Sequence, residues 1–87
     1  MSIRKVSIRQ IKAARALLGW SQKDLAEAAG ISEPTIKRLE ANDGELGGRE
    51  GTAAAIKLAL EADGVQFIPE NGGGAGVRLA KPKDASN

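Results

Sequence analysis

The sequence predicts a mainly α-helical fold that ends in a small β-hairpin, and three observations carry this prediction. Apolar residues recur at spacings of three and four in four successive segments, which is the period of an amphipathic helix. The chain has no cysteine and only two aromatic residues, so its core must be built from Leu, Ile, Val and Ala, a composition that suits packed helices. After Gly64 the pattern changes to short runs of β-favouring residues, VQFI and VRL, separated by a glycine-rich stretch.

The first helix is predicted from about Ile8 to Leu18. Ser7 and Gln10 have the three-residue spacing of a capping box, in which each residue satisfies a backbone N–H of the other. Gly19 ends the segment, since a left-handed residue at a helix end is cheapest as glycine. One face of this helix is apolar: Ile8, Ile11, Ala14 and Leu18.

Residues 21–41 predict two short helices with a tight turn between them. Ser21 caps the first helix and Gly30 ends it, while Ser32 caps the second. Pro34 falls in the first turn of the second helix, where its missing N–H costs little. This layout is typical of a helix-turn-helix, whose second helix is free to enter a DNA major groove. An αα-hairpin with no role in DNA binding is the alternative.

The same stretch resembles the DNA-binding domains of Cro and phage repressors, the XRE family. The positions that carry the resemblance are Gln22, Ala26, Gly30, Ile36 and Leu39. The resemblance implies a repressor-like domain of four to five helices. It also implies a transcriptional regulator, of the repressor kind, that binds double-stranded DNA as a homodimer on a near-palindromic operator. Repressors of this family usually have a fifth helix where this chain has the hairpin pattern, so the dimer contact is expected to differ.

The remaining segments complete one predicted domain, residues 1–80. Thr52 is expected to cap a fourth helix that runs from Ala53 to about Asp63. The β-hairpin is expected over residues 65–80, and residues 81–87 are expected to form a flexible tail.

The recognition helix should present its exposed side chains to the bases. In the family, the positions that match Glu33, Pro34 and Arg38 face base edges. Arg bonds guanine O6 and N7 together, Glu accepts from cytosine N4, and Pro can touch a thymine methyl. Thr35 and Lys37 can reach either bases or phosphates. Glu33 can instead favour its own helix N-terminus electrostatically.

Phosphate contacts are expected first from Gln22, whose family counterpart bonds a phosphate together with the free N–H groups of that helix end. A solvent-facing glutamine is the alternative. Residues 1–20 carry five basic residues and no acidic one, which favours an anionic partner at this end of the chain, although a solvated basic helix face would look the same. The other phosphate candidates are Ser32, Arg4, Lys5, Arg9 and Arg49.

Two further sets of residues are expected to be structural. The resemblance implies an ion pair between Arg15 of the first helix and Glu40 at the end of the recognition helix, although the sequence alone also allows an exposed Arg15. The dimer is expected to form through the hairpin, because a lone two-stranded hairpin is marginal and its edges invite another chain. The predicted dimer contacts are Val65, Phe67, Ile68, Val77 and Leu79.

Catalysis, cofactors and metals are not expected, because the chain has no His and no Cys to supply an imidazole base, a thiol nucleophile or a common zinc site. No apolar run approaches the roughly 20 residues needed to span a membrane. The basic N-terminal segment lacks the apolar stretch of a signal peptide, so a cytoplasmic protein is expected. The alternative function is a protein-interaction module, an antitoxin or anti-activator, and the acidic stretch 43–63 favours it modestly.

Overall fold

The computed structural model describes residues 6–42, 44, 50–70 and 72–80. Its elements are α1 (Ile8–Leu18), α2 (Gln22–Ala29), α3 (Glu33–Glu40), α4 (Glu50–Ala62), β1 (Val65–Ile68) and β2 (Gly76–Leu79). The predicted class, mainly helical with a C-terminal β-hairpin, is confirmed. The predicted tail at residues 81–87 lies outside the described residues. Within the described part of the chain, no helix is both long and apolar enough to cross a membrane.

Local caps fix where the first helices begin and end. The Ser7 Oγ accepts from the backbone N–H of Gln10 at 3.1 Å, and the Gln10 Oε1 accepts from the backbone N–H of Ser7 at 2.9 Å, so the predicted capping box is present. Gly19 ends α1 and Gly30 ends α2 with φ of 70° and 71°. Glycine reaches this left-handed conformation without the steric cost that a Cβ would add. The chain therefore turns sharply after each helix.

One apolar core joins all four helices to the hairpin. α2 packs against α3 and α4, while α1 packs against α3, α4 and β2. The largest fully buried side chains are Ile8, Ile11, Leu25, Ile36, Ile56 and Leu60. Because Ile36 comes from α3 and Leu25 from α2, burial of these two side chains sets the orientation of the helix-turn-helix against the rest of the domain.

The start of α4 corrects the expectation drawn from the sequence. The helix begins at Glu50, so Gly51 and Thr52 lie inside it and Thr52 is not its cap. A glycine costs about 1 kcal/mol in a helix interior relative to alanine. Burying Ile56 and Leu60 of the same helix contributes more than that, at about 1.5–3 kcal/mol for each large aliphatic side chain. Tertiary packing thus outweighs the local preference of Gly51.

The hairpin packs its apolar face onto the domain's own core. β1 and β2 pair antiparallel, with Val65 opposite Leu79 and Phe67 opposite Val77, so these four side chains share one face. Val65 is only 3% exposed and lies in the core, and Phe67 and Val77 pack against that core. The Val65 side chain is therefore covered within its own chain, and the dimer contacts remain a prediction. Of these four side chains, Leu79 is the exposed one, at 46%.

Gln10 ties α1 to the hairpin as well as capping its own helix. Its Nε2 donates to the carbonyl of Ile68 at 3.2 Å and to the carbonyl of Gly76 at 2.9 Å. Ile68 and Gly76 are the register pair next to the hairpin loop. One buried amide therefore fixes the start of α1 and the loop end of both strands.

Candidate nucleic-acid interface

The recognition helix α3 is held by one face and exposed on the other. Ser32 is its N-cap, and its Oγ accepts from the backbone N–H of Thr35 at 3.3 Å. Ile36 is buried and Leu39 is partly buried against the core. Successive residues of a helix are separated by 100°, so Arg38 lies nearly opposite Ile36. The polar side of α3 therefore faces away from the domain.

The five residues expected to contact bases fall into two groups. Pro34, Lys37 and Arg38 are exposed, whereas Glu33 and Thr35 are half-buried. Within the part of the chain that the structure describes, the Arg38 guanidinium has no hydrogen-bond partner, so its donors are available to a ligand.

Glu33 and Thr35 already have partners on the surface of α3. The Lys37 Nζ lies 3.7 Å from the Glu33 Oε2, an i,i+4 ion pair with both side chains more than one-third exposed. Exposed pairs of this kind contribute only about 0.3–0.5 kcal/mol, so either partner can be drawn away by a stronger contact. The Thr35 Oγ1 lies 2.8 Å from the Ser32 Oγ, which places both hydroxyls at the N-terminal end of the helix.

Arg15 and Glu40 form an ion pair that joins α1 to α3. The Arg15 Nε donates to the Glu40 Oε2 at 2.8 Å, and its Nη2 donates to the Glu40 Oε1 at 2.6 Å. This bidentate geometry suits the planar guanidinium. The Arg15 Nη1 also donates to the Trp20 carbonyl at 2.9 Å, so the same side chain holds the segment between α1 and α2.

Gln22 also bonds to Glu40. The sequence suggests either a phosphate contact or a solvent-facing side chain for Gln22, and neither includes this bond. The Gln22 Nε2 donates to the Glu40 Oε1 at 2.9 Å. The side chain is half-buried, and an amide nitrogen has two N–H groups, so one donor remains for a phosphate. Glu40 thereby fixes the orientation of the residue that is predicted to contact DNA from the start of α2.

Glu40 is held in its charged form by these donors. Burial raises the pKa of Glu40, but the hydrogen bonds from Arg15 and Gln22 and the positive charges of Arg15 and Lys12 lower it by more. The net result is a pKa below its ordinary value of 4.5. The carboxylate therefore stays ionised at neutral pH and keeps accepting from both α1 and α2.

The N-terminus of α2 has a complete capping box of its own. The Ser21 Oγ accepts from the backbone N–H of Asp24 at 3.0 Å, and the Asp24 Oδ2 accepts from the backbone N–H of Ser21 at 2.9 Å. The backbone N–H groups of Gln22 and Lys23 belong to the first turn and have no acceptor inside the helix. They are the backbone donors that this helix end can offer to an anion.

The other phosphate candidates are only partly placed. Arg4, Lys5 and Arg49 lie outside the described residues. Arg9 is on the exposed side of α1, and Ser32 is exposed at the start of α3. The structure therefore joins Gln22 to Glu40 at the C-terminal end of α3, and Ser32 lies at the other end of the same helix.

Several contacts around this surface could not be found from sequence. Gln22 meets Glu40 across 18 positions, and Gln10 meets Ile68 and Gly76 across 58 and 66 positions. A capping box is visible in the sequence because its partners are three residues apart, whereas these long-range contacts have no such spacing. The local Asn42 contact was also overlooked: its Nδ2 donates to the Arg38 carbonyl at 3.0 Å, at the C-terminal end of α3.

Comparison with protein families gives one match that fits this geometry. A family model described as a helix-turn-helix matches residues 11–62, more than half of the chain. The match covers most of α1 and the whole of α2, α3 and α4, and it stops before the hairpin. Comparison with curated proteins gave no match.

Proposed function

Because the chain belongs to the XRE-type helix-turn-helix family of DNA-binding domains, we propose that it is a sequence-specific transcriptional regulator that binds duplex DNA as a homodimer. The observation that carries the proposal is the division of α3 into two sides. Ile36 locks one side into the core, while Pro34, Lys37 and Arg38 are exposed on the other. A helix anchored in this way can enter a major groove without losing its packing.

Base recognition in this proposal centres on Arg38 and Glu33. The planar guanidinium of Arg38 can donate to guanine O6 and N7 together, and it has the free donors to do so. Glu33 can turn from its weak pair with Lys37 to accept from cytosine N4, which leaves Lys37 for a phosphate or a base. Pro34 would contact a thymine methyl, and Thr35 would contribute at the helix start.

Phosphate contacts would fix the position of α3 in the groove. Gln22 has one amide N–H left after bonding Glu40, and the first turn of α2 adds backbone donors. Ser32 and the basic residues Arg4, Lys5, Arg9 and Arg49 are the other proposed phosphate contacts. Such contacts carry no sequence information, so they supply affinity and register.

The proposed regulator acts on two half-sites. A two-fold dimer would place two copies of α3 in successive major grooves about 34–36 Å apart, which requires a near-palindromic operator. The protein would act in the cytoplasm, where DNA is accessible, and as a repressor where its operator overlaps a promoter.

Salt dependence tests the DNA-binding proposal directly. Contact with phosphates releases counterions, so the logarithm of the association constant should fall linearly with the logarithm of salt concentration, by about 0.9 per phosphate. Fluorescence anisotropy with a labelled duplex over a salt series measures this slope. An affinity for DNA that does not change with salt concentration would contradict the proposal, because it would mean that no phosphates are contacted. Failure to bind DNA at all would favour the protein-interaction module instead.

A further inference from the structure

β1 presents an open strand edge, and the hairpin register shows which backbone groups lie on it. The backbone N–H of Ala80 donates to the Gly64 carbonyl at 2.6 Å, and this pair continues the register of Val65 with Leu79. Antiparallel pairs alternate between hydrogen-bonded and non-hydrogen-bonded types. Val65 and Phe67 are therefore in non-hydrogen-bonded pairs, and their N–H and C=O groups point away from β2.

This edge has none of the features that usually protect one. Strand edges are commonly blocked by a charged residue, a proline or a β-bulge. The sequence of β1 is VQFI, without charge or proline, and its register with β2 is continuous. No group among the described residues bonds the outward N–H and C=O of Val65 and Phe67. By contrast, β2 packs against α1 and carries Arg78 at its centre.

An open groove lies directly beside β1. It has a volume of about 540 Å³, and all of β1 lines it, together with Glu61 from the end of α4 and Arg78 from β2. The outward backbone groups are therefore reachable, although the Val65 side chain is buried.

We propose that a second copy of this chain occupies the groove by pairing its β1 antiparallel with β1, which joins the two hairpins into one four-stranded sheet. The proposal rests on the homodimer of the proposed function and supplies the contact that builds it. Gln66 of each copy lies on the two-fold axis. The dimer contact is thus the backbone edge of β1, and the apolar face of the hairpin stays in each subunit's own core.

Only one register uses the whole edge. Pairing Val65 with Phe67 of the second copy forms backbone hydrogen bonds at both ends of the contact and places the two Gln66 residues in a non-hydrogen-bonded pair. A shift of two residues in either direction would bring in Asp63, which lies in the turn after α4, or Pro69, which has no N–H. The strand therefore specifies its own alignment.

The groove suits an identical chain because its chemistry is self-complementary. A two-fold contact brings the same surface of each subunit together, so each group must tolerate its own copy. The Gln66 amide both donates and accepts, and its Oε1 is held by the Arg78 Nε at 2.8 Å. Glu61 and Arg78 have opposite charges, so two grooves facing each other bring together equal numbers of acidic and basic side chains.

A single cysteine tests the register, because the natural chain has none. In the proposed dimer the Cα atoms of the two Gln66 residues are about 4.5 Å apart, which a disulfide can span. Gln66→Cys should therefore give a covalent dimer under mild oxidation, seen on a non-reducing gel. Arg78→Cys is the matched control: it is also exposed but lies one strand further from the axis. Two copies of position 78 would be about 14 Å apart, beyond the reach of a disulfide.

Charge at the axis gives an independent measurement. Gln66→Lys places two like charges opposite each other, next to Arg78, and should weaken dimerisation in analytical ultracentrifugation by up to about fivefold. Gln66→Thr loses the same bond to Arg78 but adds no charge and favours a strand, so it should remain dimeric. Circular dichroism establishes that both variants are folded.

Three results would overturn the proposal: a monomeric wild-type chain, a dimer in which Gln66→Cys does not cross-link, or a Gln66→Lys variant that dimerises as well as Gln66→Thr. If the edge instead binds a strand of another protein, the purified wild-type chain should be monomeric. DNA binding is scored separately on a single half-site. Cross-linking without DNA binding would reject the proposed function alone, whereas half-site binding without cross-linking would reject the edge pairing alone.

Discussion

At the level of single residues, substitution of Arg38 tests the proposed recognition of bases. The Arg38 side chain is exposed, has no partner among the residues that the structure describes, and lies nearly opposite the buried Ile36. Replacing Arg38 with Ala should cost about 1–3 kcal/mol per half-site and relax the preference at one base pair. Arg38→Lys should restore general affinity more than it restores that preference, because an ammonium group cannot bond two acceptors in a plane. Titrations on duplexes that differ at single positions measure both effects.

Gln22 provides the comparison for Arg38. A phosphate contact is blind to sequence, so Gln22→Ala should weaken good and poor sites by the same factor. If Arg38→Ala also loses affinity evenly and keeps the original preference, then Arg38 contacts a phosphate and the base-reading face of α3 is rotated from the one proposed.

The Arg15–Glu40 ion pair should contribute to stability more than to base choice. The Glu40 side chain is only 4% exposed, and removing it leaves the half-buried Arg15 guanidinium without its counter-ion. Breaking a buried pair by removing one partner costs about 3–5 kcal/mol. Glu40→Ala should therefore lower the free energy of unfolding by about this amount in urea titrations. A control variant that removes both charges, Arg15→Met with Glu40→Leu, should be less destabilised than the single one.

The same pair predicts how stability depends on pH. The pKa of Glu40 is lower in the folded chain than its ordinary value of 4.5, so its contribution is fully present above about pH 4.5 and is lost as the pH falls through the folded pKa. Thermal unfolding from pH 7 to pH 3 should show the melting temperatures of the wild type and of Glu40→Gln converging at the acid end. Glu27→Gln, at an exposed position of α2, is the matched control and should follow the wild type throughout.

At the level of elements, Gln10 predicts that α1 and the hairpin are coupled. Its Oε1 completes the cap of α1, while its Nε2 bonds both strands. Gln10→Glu keeps the capping acceptor but replaces the donor with an oxygen that faces two carbonyls. Hydrogen exchange should therefore become faster in β1 and β2 than in α1. Gln10→Ala removes both the capping bond and the bonds to the strands, so exchange in α1 should be faster in Gln10→Ala than in Gln10→Glu. Equal exchange rates in α1 for these two variants would show that the Gln10 cap does not stabilise the helix.

The elements themselves were largely predictable from sequence. Ser7, Ser21 and Ser32 each cap a helix, and Gly19 and Gly30 each end one, so the signals lie within a few residues of the structure that they specify. The start of α4 was not predictable in this way. Its first turn contains a glycine whose local cost is offset by packing of the helix later along the chain, which no short window reveals.

The orientation of the hairpin could not be predicted for a similar reason. The alternation of Val65 and Phe67 correctly indicated one apolar face, but it could not tell whether that face packs on the same chain or on another. The answer depends on packing against α1, which lies far away in the sequence, as well as against the neighbouring α4. The Gln22 contact with Glu40 likewise depends on how α2 and α3 meet, and the family resemblance alone gave only a phosphate role.

At the scale of the whole molecule, dimer and operator must agree in geometry. Each subunit of the proposed dimer would present one α3, and a two-fold axis through Gln66 would place the two helices on an inverted repeat. Half-site centres should be separated by about one helical turn of DNA, 10–10.5 base pairs, or a multiple of it. Inserting five base pairs between half-sites should rotate them to opposite sides of the duplex and reduce affinity to that of a single half-site.

Selection of binding sites from a randomised duplex library, using the full chain, tests the central claim most directly. A regulator that reads bases through α3 should enrich an inverted repeat, and the same selection with Arg38→Ala should lose the preference at one position of each half-site while keeping the rest. Retention of duplexes without any enriched sequence, by a folded protein at moderate salt, would contradict sequence-specific recognition through this helix.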